Sequence, residues 1–97
     1  MARSPSPATR QVLLMLAEAR GAWRHGYDIV RATGIKSGTL YPMLIRLEAQ
    51  GLLEAEWQPP AEPGRPPRHA YRLTAEGSRI AGALRDGARA TGTAVTA

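Results

Sequence analysis

The side chains with the clearest chemical potential in this sequence are its cations. Twelve of the thirteen basic residues are arginine, and with eight acidic residues they give a formal net charge of +5. A guanidinium group is planar and always charged, and it can bind a phosphate or a base edge through two hydrogen bonds at once. The composition therefore favours a polyanionic partner, and nucleic acid is the leading candidate.

No combination of residues in the sequence predicts catalysis. The absence of cysteine excludes a thiol nucleophile and any cysteine-based zinc site. His25 and His69 are too far apart in the sequence to predict a metal site, and the carboxylates form no pair suited to general acid–base chemistry. We therefore expect no enzymatic activity, no metal and no cofactor.

Length and hydropathy predict one small cytoplasmic domain. A chain of 97 residues has the size of one domain, and 43% hydrophobic residues is ordinary for a globular protein. The longest apolar run, 12–17, is too short for a signal peptide or a membrane span, so we expect no membrane association. Because so short a chain buries a limited core, a partner subunit would add stability.

Apolar spacing predicts four helices. They cover 7–20, about 26–33, about 38–50 and 75–90. Ser6, Ser37 and Thr74 are the expected N-caps, because a side-chain oxygen can accept a hydrogen bond from a first-turn amide. In the third helix an apolar stripe at the spacing i, i+3, i+4 and i+7 must face the core; it consists of Leu40, Met43, Leu44 and Leu47.

Alternating polarity predicts an antiparallel hairpin between the third and fourth helices. The runs 52–57 and 68–73 alternate as half-buried strands do. The connection 58–67 contains five prolines, so we expect a stiff, protruding loop. A short helix, a turn and a longer helix followed by a hairpin are the order of a winged helix-turn-helix domain. The predicted class is α+β, mainly α-helical with one small hairpin.

Three motifs connect the chain to a known family. They are His-Gly-Tyr-Asp-Ile at 25–29, Ser-Gly-Thr-Leu-Tyr-Pro at 37–42 and Tyr-Arg-Leu-Thr-Ala-Glu-Gly at 71–77. With their surroundings they closely resemble the PadR family of bacterial transcriptional regulators over roughly residues 10–85. The resemblance implies a homodimer that binds operator DNA, usually as a repressor, and that a small molecule releases in some members.

The resemblance also implies that the C-terminal helix is the main dimer contact, assisted by the first helix. In this chain its apolar seam consists of Ile80, Leu84 and Ala88. The helix is brief and rich in glycine, which argues against a large ligand cavity between subunits. The expected organisation is a flexible arm at 1–7, a winged helix-turn-helix at 8–74, the dimerisation helix at 75–90 and a disordered tail at 91–97.

Nine residues are candidates for DNA contact. The start of the third helix offers free amides and a positive dipole end where a recognition helix meets base edges. Tyr27 matches a family tyrosine that contacts the DNA backbone, and the proline-rich loop carries arginines suited to a narrow minor groove. The candidates are Tyr27, Lys36, Ser37, Gly38, Thr39, Tyr41, Arg46, Arg65 and Arg68.

Plainer interpretations of these residues stay open. Ser37 could be only an N-cap, the tyrosines only packed rings, Arg46 only solvated or ion-paired, and the arginine loop only a solvated loop. Trp23 and Trp57 could line a pocket for a small aromatic effector, or they could pack in the core or an interface. A rival function is a winged-helix protein-interaction module whose basic charge serves solubility alone.

Overall fold

The computed structural model describes the backbone of residues 5–96 and the side chains of residues 5–87. In chain order its elements are α1 (Pro7–Glu18), β1 (Arg24–His25), α2 (Gly26–Thr33), α3 (Ser37–Ala49), β2 (Leu53–Gln58), β3 (Arg68–Leu73) and α4 (Ala75–Thr96). The strands form one antiparallel sheet in the order β1-β3-β2. This α+β arrangement is a winged helix, in which α2 and α3 form the helix-turn-helix and β2 and β3 form the wing. The first four residues of the expected flexible arm lie outside the described residues.

The ends of α1 and α2 follow the predicted signals. The Ser6 hydroxyl accepts a hydrogen bond of 3.2 Å from the amide of Thr9, and Pro7 is the first residue of α1. Gly34 ends α2 with a φ of 73°, a left-handed conformation that glycine adopts without steric strain. Both predicted boundaries are confirmed, although α1 stops at Glu18 rather than near residue 20.

The N-cap of α3 is Lys36, and the prediction of Ser37 is wrong by one residue. The carbonyl oxygen of Lys36 accepts hydrogen bonds from Thr39 at 3.0 Å and from Leu40 at 2.8 Å. Helical hydrogen bonding therefore starts one residue earlier than expected, and Ser37 is already helical. The Lys36 side chain makes no capping hydrogen bond, so the chemistry of the side chain gives no signal for this boundary.

The sheet has a third strand that sequence analysis missed. In β1, Arg24 pairs with Tyr71 and His25 pairs with Ala70. Two residues are too few to show alternating polarity, so this strand leaves no periodic signal. The predicted hairpin is confirmed. Its strands pair without interruption from Leu53 opposite Leu73 to Gln58 opposite Arg68.

The core lies between the helices and one face of the sheet. The predicted stripe of α3 is buried, and it packs with α1, with Ile29 of α2 and with the inward residues of the hairpin. Burial of these aliphatic side chains is the main driving force for the fold. Because the stripe is buried, the opposite side of α3 faces the solvent.

Helix α4 begins at a double anchor. The Thr74 hydroxyl accepts a hydrogen bond of 3.0 Å from the amide of Gly77, which confirms the predicted cap, and it donates one of 2.6 Å to the carbonyl of Gly51. The helix continues to Thr96, through most of the segment 91–97 in which we expected a tail. Once a capped first turn has formed, adding a residue to the helix costs less than nucleation, so α4 continues through its single glycines although each costs about 1 kcal/mol relative to alanine.

The phenol of Tyr71 is expected to make the folded protein less stable at alkaline pH. Tyr71 is buried, its hydroxyl lies 3.0 Å from His69 Nδ1, and burial raises its pKa, with smaller contributions from Tyr41 and Glu48. The unfolded chain therefore loses this proton at a lower pH than the folded protein. The contribution of Tyr71 to the free energy of unfolding should be fully present below the ordinary tyrosine pKa of 10.0. It should be lost as the pH rises through the higher pKa of the folded state.

Tyr71→Phe should remove part of this alkaline loss. We expect the drop in unfolding free energy between about pH 8 and about pH 11 to be smaller for Tyr71→Phe than for the wild type. Urea denaturation at the two pH values measures the difference. Tyr27→Phe is the control, because this ring is exposed. An identical drop in the wild type and Tyr71→Phe would show that Tyr71 does not cause the dependence.

Candidate nucleic-acid interface

A small cleft joins α2, α3 and the wing. Its volume is about 180 Å³, and it is lined by His25, Gly26, Tyr27, Tyr41, Arg68 and His69. Three side chains that sequence analysis assigned to DNA contact, those of Tyr27, Tyr41 and Arg68, thus line one concave surface. A guanidinium group and two phenolic hydroxyls offer hydrogen-bond donors suited to phosphate oxygens.

Tyr41 reaches this cleft because Gly26 has no side chain. A Cβ atom at Gly26 would lie 2.5 Å from the Tyr41 hydroxyl oxygen and 2.6 Å from its Cε1. The ring therefore rests on the first turn of α2, and Tyr41 remains 38% exposed. The sequence assigns no role to Gly26, since a glycine at the start of a helix carries no signal of the ring that packs on it.

His25 ties the N-terminus of α2 to the wing. Its Nε2 lies 2.9 Å from the side-chain oxygen of Gln58, and its Nδ1 lies 3.3 Å from a carboxylate oxygen of Asp28. One imidazole thus bridges β1, α2 and β2 at the edge of the cleft. It holds the tyrosine side of the cleft and the arginine side at a fixed separation.

Arg31 adds a cation beside Tyr27. Its guanidinium carbon lies 5.8 Å from the centre of the Tyr27 ring, which is itself exposed. The two residues are four apart in α2, so they share one face of the helix. That spacing was readable in the sequence and could have added Arg31 to the candidates.

The start of α3 is open to solvent beside the cleft. Lys36, Ser37, Gly38 and Thr39 are all exposed. The amides of Ser37 and Gly38 precede the first helical hydrogen bonds, which Thr39 and Leu40 donate to Lys36, and the Lys36 side chain provides no cap. This end of α3 therefore presents amide donors, a positive dipole end and a lysine to the same side of the molecule.

Arg46 lies apart from the cleft. It lines a groove of about 480 Å³ between α1, α3 and α4, together with Thr9, Gln50 and Arg79. Arg46 follows Tyr41 by five positions, so the two side chains leave α3 in different directions. The side chain is exposed, and it stands at the opposite edge of the helix.

The wing carries its second arginine on an exposed loop. Arg65 follows Gly64, whose φ is 85°, and its Nε lies 3.9 Å from a carboxylate oxygen of Glu62. Both side chains of this ion pair are exposed, so it restrains Arg65 weakly. Arg65 and Arg68 line a common concave surface with the loop prolines, which places both guanidinium groups on one loop.

The two tryptophans do not form a common pocket. Trp57 is 69% exposed and stacks on its cross-strand neighbour His69, with the ring centres 4.3 Å apart. Trp23 is half-buried beneath Arg72, whose guanidinium carbon lies 4.4 Å from the ring centre. His69 and Arg72 lie on opposite faces of β3, because successive strand side chains alternate. Arg72 also donates to Glu54 at 3.1 Å.

The candidates for dimerisation differ in what the structure describes. Ile80 and Leu84 are half-buried and pack against the core from α4. Ala88 lies outside the residues whose side chains are described. No helix in the described part of the chain is both long enough and apolar enough to cross a membrane.

The fold recurs over most of the chain in solved bacterial structures, two of which are described as PadR-like regulators. The protein smu.1704 of Streptococcus mutans is 29% identical, with a TM-score of 0.74 over 98% of this chain and 91% of that one. A PadR family regulator of Eggerthella lenta is also 29% identical, with a TM-score of 0.71 over 92% and 81%. A PadR-like transcription factor of Bacteroides fragilis is 28% identical, with a TM-score of 0.74 over 91% and 85%.

The family model gives the assignment at the level of sequence. None of the curated protein sequences matches the chain significantly. The model of the transcriptional regulator PadR-like family, however, matches residues 12–83. That span includes the helix-turn-helix, the wing and the first part of α4. The chain therefore belongs to the PadR-like family of transcriptional regulators.

Proposed function

We propose that the protein is a homodimeric repressor that binds a pseudo-palindromic DNA operator. The observation that carries the proposal is the convergence of Tyr27, Tyr41 and Arg68 on one cleft beside the open start of α3. In the bound state, α3 lies in the major groove and the wing extends toward the neighbouring minor groove. Such a bacterial regulator acts in the cytoplasm.

Electrostatics supports DNA as the partner. Lys36 and Arg68 border the exposed side of α3, and Arg65 extends this positive surface along the wing. Each phosphate that such a cation neutralises releases a counterion, so affinity should fall steeply with salt concentration. Arg65, on the exposed loop of the wing, is suited to the negative potential of a narrow, A·T-rich minor groove.

Selection of duplexes from a random pool with the purified protein tests the proposal. We expect enrichment of one sequence with two inverted half-sites about 10 bp apart, or a multiple of that distance. Footprinting should then show that the protein protects one side of the DNA double helix. If no sequence is enriched over the starting pool, the proposal of a sequence-specific regulator is wrong.

Helix α4 is the proposed dimer contact. Its 22 residues span about 33 Å, and the described core contacts come from its first half, through Ala81, Ile80 and Leu84. The half-buried state of Leu84 leaves part of its side chain available to a second copy. A two-fold dimer would also match the symmetry of the operator.

Leu84→Ala should weaken self-association about tenfold, because part of a large apolar side chain leaves the interface. Sedimentation equilibrium measures the dissociation constant, and a melting curve checks that the monomer stays folded. Ala83→Ser is the control on the neighbouring exposed position, and it should leave the constant unchanged. A wild type that sediments as a monomer at all concentrations would contradict the dimer.

A winged-helix protein-interaction module remains the rival function. In that case no duplex would be selected, and substitution of Lys36, Tyr41 or Arg68 would change no DNA affinity. The arrangement of tyrosines and arginine in one cleft favours the regulator, because these donors match phosphate oxygens better than an apolar protein surface.

An aromatic effector has support at one position. Trp23 is already covered by Arg72, whereas Trp57 is mostly exposed and carries His69 on one face of its ring. A flat aromatic molecule could stack on the other face. Quenching of tryptophan fluorescence by aromatic acids, abolished in Trp57→Leu, is the expected result for such a site. Equal quenching in Trp57→Leu would exclude it.

A further inference from the structure

The outward face of α3 is apolar along its whole length. Opposite the buried leucine stripe, at 100° per residue, lie Gly38, Pro42, Ile45 and Ala49. All are exposed, and Ile45 is 64% exposed. None of these residues has a side chain that can donate or accept a hydrogen bond. The central strip of the helix therefore cannot recognise base edges by hydrogen bonds from its side chains.

Gly38 leaves the backbone of this face open to close approach by another molecule. A Cβ atom at Gly38 would meet nothing within 4 Å, and Gly38 is absent from the glycines with positive φ. Neither packing nor backbone conformation in the described chain thus requires glycine at this position. Glycine is also unfavourable in a helix compared with alanine. A surface outside the subunit that must come near the backbone would account for it.

The charges around this face identify the surface as DNA. Lys36 lies at the N-terminal end of α3 and Arg46 lies at one edge, while Arg68 stands across the cleft at the other edge beside Tyr41. Glu48 is the one acidic residue of α3 and lies near its C-terminal end. The border of the apolar strip is therefore mainly cationic, and it complements a groove floor bordered by phosphates. On the floor of the major groove, the apolar group is the C5 methyl of thymine.

We propose that Ile45 reads thymine methyl groups in the major groove, so that each half-site is selected partly by apolar contact. The inference rests on the proposed function, because it requires α3 to lie in that groove. Gly38 has no side chain and Pro42 has a short ring, so neither projects far from the helix on the N-terminal side of Ile45. The branched side chain of Ile45 can therefore reach the base edges. Thymine is then preferred to cytosine at the same position, since cytosine lacks the methyl group.

Replacement of single thymines by deoxyuridine in the selected operator tests this contact. The exchange removes the methyl group and keeps the Watson–Crick pair. For the wild type we expect roughly three- to fivefold weaker binding at one or two positions of each half-site, the effect of one lost apolar group. Ile45→Ala should bind the thymine and uracil duplexes equally at those positions, and Ile45→Val should keep part of the difference.

Gly38→Ala gives an independent readout. The added methyl group meets nothing within the subunit, so the melting temperature should stay unchanged or rise. Operator affinity should nevertheless fall, because the methyl group stands between the helix and the base edges. Unchanged affinity in Gly38→Ala would contradict the close approach. Melting curves of Ile45→Ala should match the wild type, since the side chain is largely exposed.

The outcomes separate this contact from the proposed function. If the wild type binds a selected operator specifically but tolerates every uracil, the methyl contact is wrong and the regulator proposal stands. If the wild type selects no sequence, both fail. If Ile45→Ala retains the uracil sensitivity but loses self-association in sedimentation, the apolar strip is an interface between copies of the chain, and the inference is overturned.

Discussion

Gly77→Ala should destabilise the fold by about 3 kcal/mol, because overpacking at a rigid contact has effects of this size. A Cβ atom at Gly77 would lie 2.0 Å from the carbonyl oxygen of Leu52, which is a backbone atom and cannot rotate away. Leu52 accepts a hydrogen bond from the amide of Thr74, so a shift of α4 would also disturb the anchor at its start. Thermal melting should show a loss of about 10 °C or more.

Gly82→Ala is the matched control in the same helix. A Cβ atom at Gly82 would meet nothing within 4 Å, so only helix propensity changes, and stability should rise by about 0.5–1 kcal/mol. The two substitutions thus make the same chemical change with opposite expected signs. Equal melting temperatures for Gly77→Ala and Gly82→Ala would contradict the close packing of α4 on the turn after α3.

Arg68→Ala should weaken operator binding roughly tenfold to a hundredfold, since a charge-assisted hydrogen bond to phosphate is lost. Arg68 lines the cleft together with Tyr27 and Tyr41. Its loss leaves the two tyrosine hydroxyls as phosphate donors without a neighbouring positive charge. The slope of log K against log salt should decrease by about 0.9 for one lost phosphate contact. Anisotropy titrations at several salt concentrations give both values.

Arg85→Ala removes the same charge from α4, and none of the α4 side chains that the structure describes lines the cleft. It should change affinity little and should leave the salt slope near that of the wild type. Arg65→Ala should differ again, because a minor-groove contact affects the preference for A·T pairs beside the half-site. If Arg68→Ala and Arg85→Ala lower affinity equally, net charge alone explains binding and the cleft has no special role.

The order of the major elements could be predicted because each leaves a periodic signal. The stripe of α3 repeats at helical spacing, and the two long strands alternate, so both appear in the sequence as patterns. β1 has two residues and no period. The glycines of α4 predict an end near residue 90, but the Thr74 cap has already nucleated the helix, and it continues to Thr96.

The candidate site was predictable in its residue types and unpredictable in its grouping. Tyr41 and Arg68 were chosen from motifs and charge, but their convergence depends on Gly26, whose missing side chain makes room for a ring from another helix. His25 joins Asp28 and Gln58 through contacts that no local spacing encodes. The separation of Trp23 and Trp57 follows from strand register, which the sequence could have supplied for Trp57 but not for Trp23, because β1 was missed.

Fluorescence anisotropy of the wild type on its selected duplex, with excess unrelated duplex as competitor, tests the central claim most directly. At about 150 mM salt, specific binding should survive the competitor, because specific sites are typically at least about a thousandfold tighter than non-specific DNA. If Tyr41→Ala and Arg68→Ala each lose the competitor-resistant binding, the binding surface includes the cleft. Complete displacement of the wild type by unrelated duplex would contradict sequence-specific recognition by this surface.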